Sequence, residues 1–335
     1  MSQSTPARTS AAKEIEYPAL YVSASEASKR GKFWHLRLTA LELGLVLIGL
    51  LVAVVAAVLV QPVPIPVAHQ PLVNHADLGL NIAAIAIVGS FLGATLIKLI
   101  GRTTTFDEDW FAGRAVAEAV RSEAWRYMVK DDTYRGRDAD DRFADKIRAL
   151  LERTRDIRSG VDHLPARPLQ ITSSMRQVRN LDLAGRRDAY VTQRLGEQSR
   201  WYASKSAGHS FRATVWFWMA IVFQLLAAVS AVFALHLVEL ETQSQILLRT
   251  MSLFGSLAIA FTAWTQLNRD EQLARSYAFS VQELSLVTGD AERAKSDRAL
   301  AAAVTSGESV IGRENRAWLA KRGEVVESPE FGHSD

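Results

Sequence analysis

Two stripes of aromatic and ionic residues concentrate the side-chain chemistry of this chain. Trp110, Arg114, Glu118, Arg121 and Trp125 recur at steps of 4, 4, 3 and 4. At 100° per residue all five fall within an arc of about 80° on a helix. Tyr190, Arg194, Gln198, Trp201 and Lys205 repeat that stepping. Such faces offer indole and phenol surface for burial, together with charges that can pair, Arg114 with Glu118 at i,i+4 for instance. This is the chemistry of docking one helix onto another, and we read both stripes as packing seams, within one chain or between subunits. An ordinary amphipathic helix with chance aromatics has the same eleven-residue period.

Bond-making chemistry has little to stand on. There is no Gly-x-Ser-x-Gly, no His-Glu-x-x-His and no phosphate-binding Walker loop. The chain has no cysteine, which removes disulfides, thiolate metal sites and a cysteine nucleophile together. Its seven histidines, at 35, 69, 75, 163, 209, 236 and 333, never take His-x-x-x-His spacing. No catalytic, cofactor or metal site is expected, and the chain does not read as an enzyme.

The elements that must hold the stripes are set by four runs without a charge. Leu43 to Val60 spans 18 residues and Leu78 to Ile97 spans 20, with Ala213 to Leu235 (23) and Met251 to Asn268 (18) forming a second pair. At about 1.5 Å per residue the first two reach roughly 27 and 30 Å, against a hydrocarbon core of about 30 Å. The predicted fold is therefore an all-α membrane protein, with two transmembrane hairpins extended by long cytoplasmic helices. More than 40 residues precede the first run and no small-residue cleavage site follows it, so a cleaved leader is not expected.

Lys29, Arg30, Lys32 and Arg37 precede the first run and Lys98 and Arg102 follow the second. Arg200, Lys205 and Arg212 precede the third, and Arg269 and Arg275 follow the fourth. The turn from Gln61 to Asp77 has no Lys or Arg but carries four prolines, and His236 to Thr250 has only Arg249. By the positive-inside rule both termini and the middle face the cytoplasm. The net charge of +3 gathers at membrane ends, where it suits anionic headgroups and calls for no nucleic acid.

Between the hairpins the pattern is helical. Tyr17-Pro18 marks a start, with one helix expected to run directly into the first span. Thr105 or Asp107 caps a helix extending to about Lys130. Asp131 to Asp141 is a charged turn, and Arg142 to Ile157 is amphipathic. A loop with Gly160, Pro165 and Pro168 separates two halves with one plan, each a cytoplasmic helix, a hairpin and another cytoplasmic helix. Met175 to Ser210 reads as one helix into the third span, and Arg269 to Leu286 continues out of the fourth. The domain reading is thus a disordered 1–16, a first unit at 17–160, a linker at 161–174, a second unit at 175–320 and a disordered tail at 321–335.

Inside the spans the informative residues are small or polar. Gly89 and Gly93 make a Gly-x-x-x-Gly, Gly49, Ala53 and Ala57 lie four apart, and Ser252, Gly255, Ile259, Thr262 and Gln266 form a narrow seam along the fourth run. These let helices approach closely, either inside one chain or between copies. Gln224, the deep polar group of the third run, is expected to hydrogen-bond across helices. No run carries a charge at mid-depth; Glu42 and Lys98 sit at the rims as anchors.

Trp110, Gly113-Arg114, Glu118 and Trp125-Arg126-Tyr127-Met128 resemble the segment after the hairpin in the SLATT family, the SMODS- and SLOG-associating two-transmembrane effector domains. Tyr190, Arg194, Gln198, Trp201-Tyr202 and Lys205 resemble the helix leading into the hairpin of a second SLATT type. Arg313-Glu314-Asn315 with Trp318 resembles that type's closing helix. The resemblance covers about residues 15 to 322. Departures are mild: Ala119, Val120 and Arg121 stand where the family tends to have Ile-Lys, and Glu197 where it has Asp.

The resemblance implies a bacterial membrane effector that forms pores when a sensor of a nucleotide signal or NAD metabolite triggers it, in conflict with phage or competitors. Expected partners are the lipid bilayer, further copies of the chain and a sensor or nucleotidyltransferase-linked protein. A non-conducting anchor or scaffold for signalling proteins is the alternative. A transporter is disfavoured, because no run is broken by Gly-Pro.

Overall fold

Pro18 stands directly before Ala19, where a missing N–H leaves no helical bond unmade, and α1 runs unbroken over Ala19–Leu59. Its 41 residues extend about 60 Å, so the surface helix continues into the first span as expected. The structure is a computed structural model that describes residues 15–59, 75–153, 169–236 and 241–320. Residues 1–14 and 321–335 of the expected disordered ends, most of the proline-rich turn, most of the 161–174 linker and the side chains of Glu314, Asn315 and Trp318 lie outside the described residues. Ile15 and Glu16, expected to be disordered, are ordered, and Ile15 is buried.

α2 covers His75–Thr103 and α3 covers Phe106–Val129, with Thr105 directly ahead of its first turn. Lys130 ends α3 in the left-handed region at φ 58°, and Asp131 N–H returns to the Arg126 carbonyl at 3.0 Å. That is the Schellman closure usually made with glycine. Asp131 then caps a 3₁₀ turn by accepting from the Thr133 and Tyr134 amides, and α4 follows over Ala139–Arg153.

Two expected helices are broken. Met175 to Ser210 divides into α5 (Ser173–Arg179), α6 (Leu183–Ala189), a π-helical stretch (Tyr190–Leu195) and α7 (Gly196–His236). The break falls where the Asp182 carboxylate takes the Gly185 N–H at 2.8 Å and caps α6. The second break separates α8 (Glu241–Asn268) from α9 (Asp270–Arg293) at Arg269, φ 50°. A non-glycine residue adopts that angle at a steric cost, so the turn is held by its surroundings. α10 occupies Asp297–Ala320.

The chain forms two compact units that interleave along the sequence. The first comprises Met1–Gly31, Glu108–Arg200 and Gln282–Asp335, the second Lys32–Asp107 and Trp201–Val281. Each of the successive segments 17–160 and 175–320 therefore supplies both units.

The first unit has a conventional core: Leu20, Val120, Trp125, Met128, Phe143, Met175, Leu195, Leu284 and Val304 are all buried. Thr172 and Ser174 hydrogen-bond the Glu16 backbone, and Ala19 N–H donates to the Leu169 carbonyl, so residues 16–19 are pinned to residues 169–174. α3 lies so close to α1 that a Cβ on Gly113 would stand 2.8 Å from the Ala24 carbonyl oxygen.

The second unit turns this pattern inside out. Leu47, Leu51, Ile85, Leu92, Leu225, Phe233, Leu235 and Ile259 are exposed, while Ala94, Ala220, Ala234 and Ala258 are buried between helices. Large aliphatics outside and small residues inside is the arrangement of helices solvated by lipid. Among the described residues four helices are long and apolar enough to cross a membrane. The protein is an all-helical, multi-pass membrane protein.

Candidate functional site

In the first unit the two stripes face each other. Trp125 meets Tyr190 edge-on with centroids 5.6 Å apart, and its indole N–H donates to the Tyr17 hydroxyl at 3.1 Å. Arg121 donates Nε–H to that hydroxyl at 3.2 Å and pairs with Glu197 at 2.5 Å. At the centre Arg194, completely buried, donates Nε–H and Nη2–H to the two carboxylate oxygens of Glu308 at 2.9 and 2.6 Å. The same Nη2 reaches Glu118 at 2.6 Å, so one guanidinium ties α3, the π-helical stretch and α10 together. Glu118 thus accepts from Arg194, 76 residues away, and the charge of Arg114, one turn before it on α3, acts on it as well.

Electrostatics decide the charge state of this cluster. Burial pushes the Glu118 carboxyl up, but the charges of Arg194 and Arg121 outweigh it and hold it below the usual glutamate range. Burial disfavours the Arg194 cation, and the charges of Glu118 and Glu308 overcome that and raise its pKa well above the ordinary value. Both groups are therefore charged, Arg194 in full burial and Glu118 with partial access to water. The Arg194 Nη1 is buried without a hydrogen-bond partner among the described residues.

A second cluster supports the first. Tyr127, Tyr134 and Phe143 are buried against one another, and Arg179 donates to the Tyr127 and Tyr134 carbonyls at 2.5 and 2.6 Å. Burial, aided by the Asp140 carboxylate at 2.6 Å from its hydroxyl, pushes the Tyr127 phenol up to about 12. Tyr134 and Tyr190 are raised as well, first by burial and then by Glu123 and Glu308. A free phenol titrates near 10, so the unfolded chain loses these protons first. Their stabilisation is complete below about pH 10 and is lost as pH rises from there through about 12. Urea unfolding midpoints should fall across that interval, and Tyr127→Phe should flatten the fall.

In the second unit the remaining stripe residues line α7. Trp201 packs edge-on to Tyr277 at 5.7 Å, and the exposed Lys205 ammonium lies 5.6 Å from the Trp201 ring centre. Nearby, His209 Nδ1 lies 2.6 Å and Arg212 Nε 3.4 Å from one oxygen of Asp270, which is 8% exposed at the α8/α9 break. Among the described residues no group of three His, Asp or Glu side chains converges as a metal site.

The small residues of the spans divide by what they touch. A Cβ on Gly49 would lie 3.2 Å from Ser90, and one on Gly93 3.1 Å from Leu45, so these two set the α1/α2 contact. Gly89 and Gly255 meet nothing within 4 Å. Of the glycine pair of α2, Gly93 alone meets α1 among the described residues. At the rim Lys98 and Glu42 pair at 3.6 Å. Between α7 and α8 the contact is aromatic, with Phe223 stacked on Phe261 at 5.4 Å and Trp216 at 5.6 Å from the same ring. Ser252, Ile259 and Gln266 are exposed, and so is Gln224. The cross-helix bond expected of Gln224 is not made: its amide has no hydrogen bond among the described residues.

Comparison with protein families finds two matches that together cover almost the whole chain. Residues 18–187 match SMODS and SLOG-associating 2TM effector domain 3, and residues 190–318 match domain 1 of the same series. The chain belongs to the SLATT family. It carries two SLATT units, and no curated protein or solved structure matches it. By these SLATT limits the Trp125–Tyr190 and Glu118–Arg194 contacts join one unit to the next. The residues missed by sequence reading complete that joint: Glu308, Tyr17, and Gly307, whose Cβ would stand 2.6 Å from the Tyr190 hydroxyl. Glu308 lies 114 residues from Arg194, beyond any local spacing rule, and a glycine next to a glutamate on α10 was the one available hint.

Proposed function

We propose that this tandem SLATT protein is an oligomerising effector of the bacterial inner membrane that raises membrane permeability when a partner sensing a nucleotide signal engages it. The observation that carries the reading is the outward seam of α8. Ser252, Gly255, Ser256 and Gln266 run along a span of the second unit with Ser252, Ser256 and Gln266 exposed and Gly255 open. The Ser252 and Ser256 hydroxyls bond the carbonyls one turn back, at 3.0 and 2.8 Å. A seam so satisfied tolerates lipid in a single chain and accepts water or another helix once copies assemble. The family description as SMODS- and SLOG-associating effector domains supports the signalling context. The distribution of Lys and Arg supports termini in the cytoplasm, within reach of a soluble sensor.

The second reading is a non-conducting membrane scaffold, favoured by the charge-free middle of all four spans. Purified protein reconstituted into dye-loaded liposomes separates the two. Release should climb more steeply than linearly with protein density, as an assembled lesion requires. Liposomes tight at every density, with unchanged membrane potential in phage-challenged cells that carry the protein together with its native gene neighbours, would establish the scaffold instead.

A further inference from the structure

Gln224 is the midpoint of the uncharged run Ala213 to Leu235, about 16 Å along the helix from either end. It therefore sits at the level where neither water nor a lipid headgroup is at hand. A primary amide there has two N–H donors and a carbonyl acceptor to satisfy, and leaving them bare in hydrocarbon is costly. Among the described residues nothing serves them. Ser90 and Ser230, the comparable polar groups at depth, are each only 8% exposed, while Gln224 is exposed beside Leu225 and Leu226. The α7/α8 contact is made by the adjoining face, through Trp216 and Phe223.

We propose that the Gln224 face of α7 is the contact between copies of this chain, with the two Gln224 amides hydrogen-bonded to each other at mid-membrane. A carboxamide is complementary to itself, donor to acceptor in both directions. A second copy inserted in the same orientation brings its Gln224 to the same depth with no further coincidence, whereas a different membrane protein would need a matching polar group there. Ala228, one turn on and also exposed, is small enough to let the two backbones draw together. This rests on the assembly part of the proposed function and is independent of whether anything crosses the membrane.

The absence of native cysteine makes single-thiol reporters unambiguous. Ala228→Cys keeps Gln224 and shares its face, while Leu226→Cys lies at similar depth about 200° around the helix from Gln224. In oxidised membranes Ala228→Cys should give a product of twice the chain mass and Leu226→Cys should not. Adding Gln224→Leu to the Ala228→Cys reporter should weaken association about threefold to twentyfold, the range measured for such bonds in membranes. Gln224→Asn should retain part of it. No cross-link from Ala228→Cys, equal cross-linking from both reporters, a product of another mass, or indifference to Gln224→Leu each overturns the proposal. Protein that still cross-links in phage-challenged cells carrying its native gene neighbours, with their membrane potential unchanged, would defeat the permeability reading and leave this one intact.

Discussion

Arg194→Met is expected to destabilise the first unit by about 3–5 kcal/mol, because it strands two carboxylates that one buried cation now neutralises. Glu308 is 1% exposed at its side chain and Glu118 24%, so water cannot take over the lost bonds at the first and only in part at the second. Arg194→Lys should recover only part of the loss. An ammonium cannot reproduce the paired Nε and Nη2 bonds to Glu308 while also reaching Glu118. Removing all three charges, as Arg194→Met with Glu118→Gln and Glu308→Gln, should restore more than the lysine does, since a neutral cluster has no ion to desolvate. Urea-dependent proteolysis of the detergent-solubilised chain, with cleavage mapped to 108–200, reads all three. Equal loss in the single and triple variants would mean that packing, not charge, holds the joint.

The pH dependence has a definite sign. In the native protein Glu118 has a depressed pKa, so its contribution is complete above the ordinary glutamate value of about 4.3 and fades as pH falls through the lower folded value. In Arg194→Met the uncompensated carboxylates gain from taking up a proton. The gap in stability between the two proteins should therefore narrow as pH is lowered from neutrality. A gap that widens toward acid would contradict the assignment of charges.

Much of this arrangement is legible from periodicity alone, and the limits are physical. Charge-free runs of 18 residues or more locate the four spans because the hydrocarbon core sets one minimum length for all of them. The stripes are legible as faces because side chains three and four residues apart must share a side of a helix. A face does not name its partner, however. The i,i+4 rule points from Glu118 only to Arg114 on its own helix, while the fold adds Arg194 from 76 residues away and then Glu308 from α10. Breaks of one to three residues are equally hidden. Asp182 and Arg269 look like ordinary polar helix residues, and only the cap on Gly185 and the positive φ at 269 reveal that the chain turns there. Within the spans, small residues mark close approach without saying to what: Gly93 packs inside the chain, and among the described residues nothing meets Gly89.

Glycine substitutions turn that last distinction into the second large effect. Gly113→Ala should cost about 1–3 kcal/mol, the range for forcing a methyl group into a packed contact. The added Cβ would meet the Ala24 carbonyl oxygen at 2.8 Å and the Ser28 amide nitrogen at 2.9 Å, and both are backbone atoms that cannot rotate aside. α3 would have to lift from α1, and the Ser28 hydroxyl would lose its 2.8 Å bond to the Trp110 carbonyl. Gly89→Ala and Gly255→Ala face open space and should leave unfolding in detergent unchanged or slightly improved, since alanine favours helix by up to about 1 kcal/mol. Thermal unfolding of the three variants in one detergent ranks them directly. If Gly113→Ala proves as mild as Gly89→Ala, α3 and α1 are not in backbone contact. If Gly89→Ala or Gly255→Ala instead changes association in liposomes while sparing the melt, the open faces of α2 and α8 are surfaces used between copies.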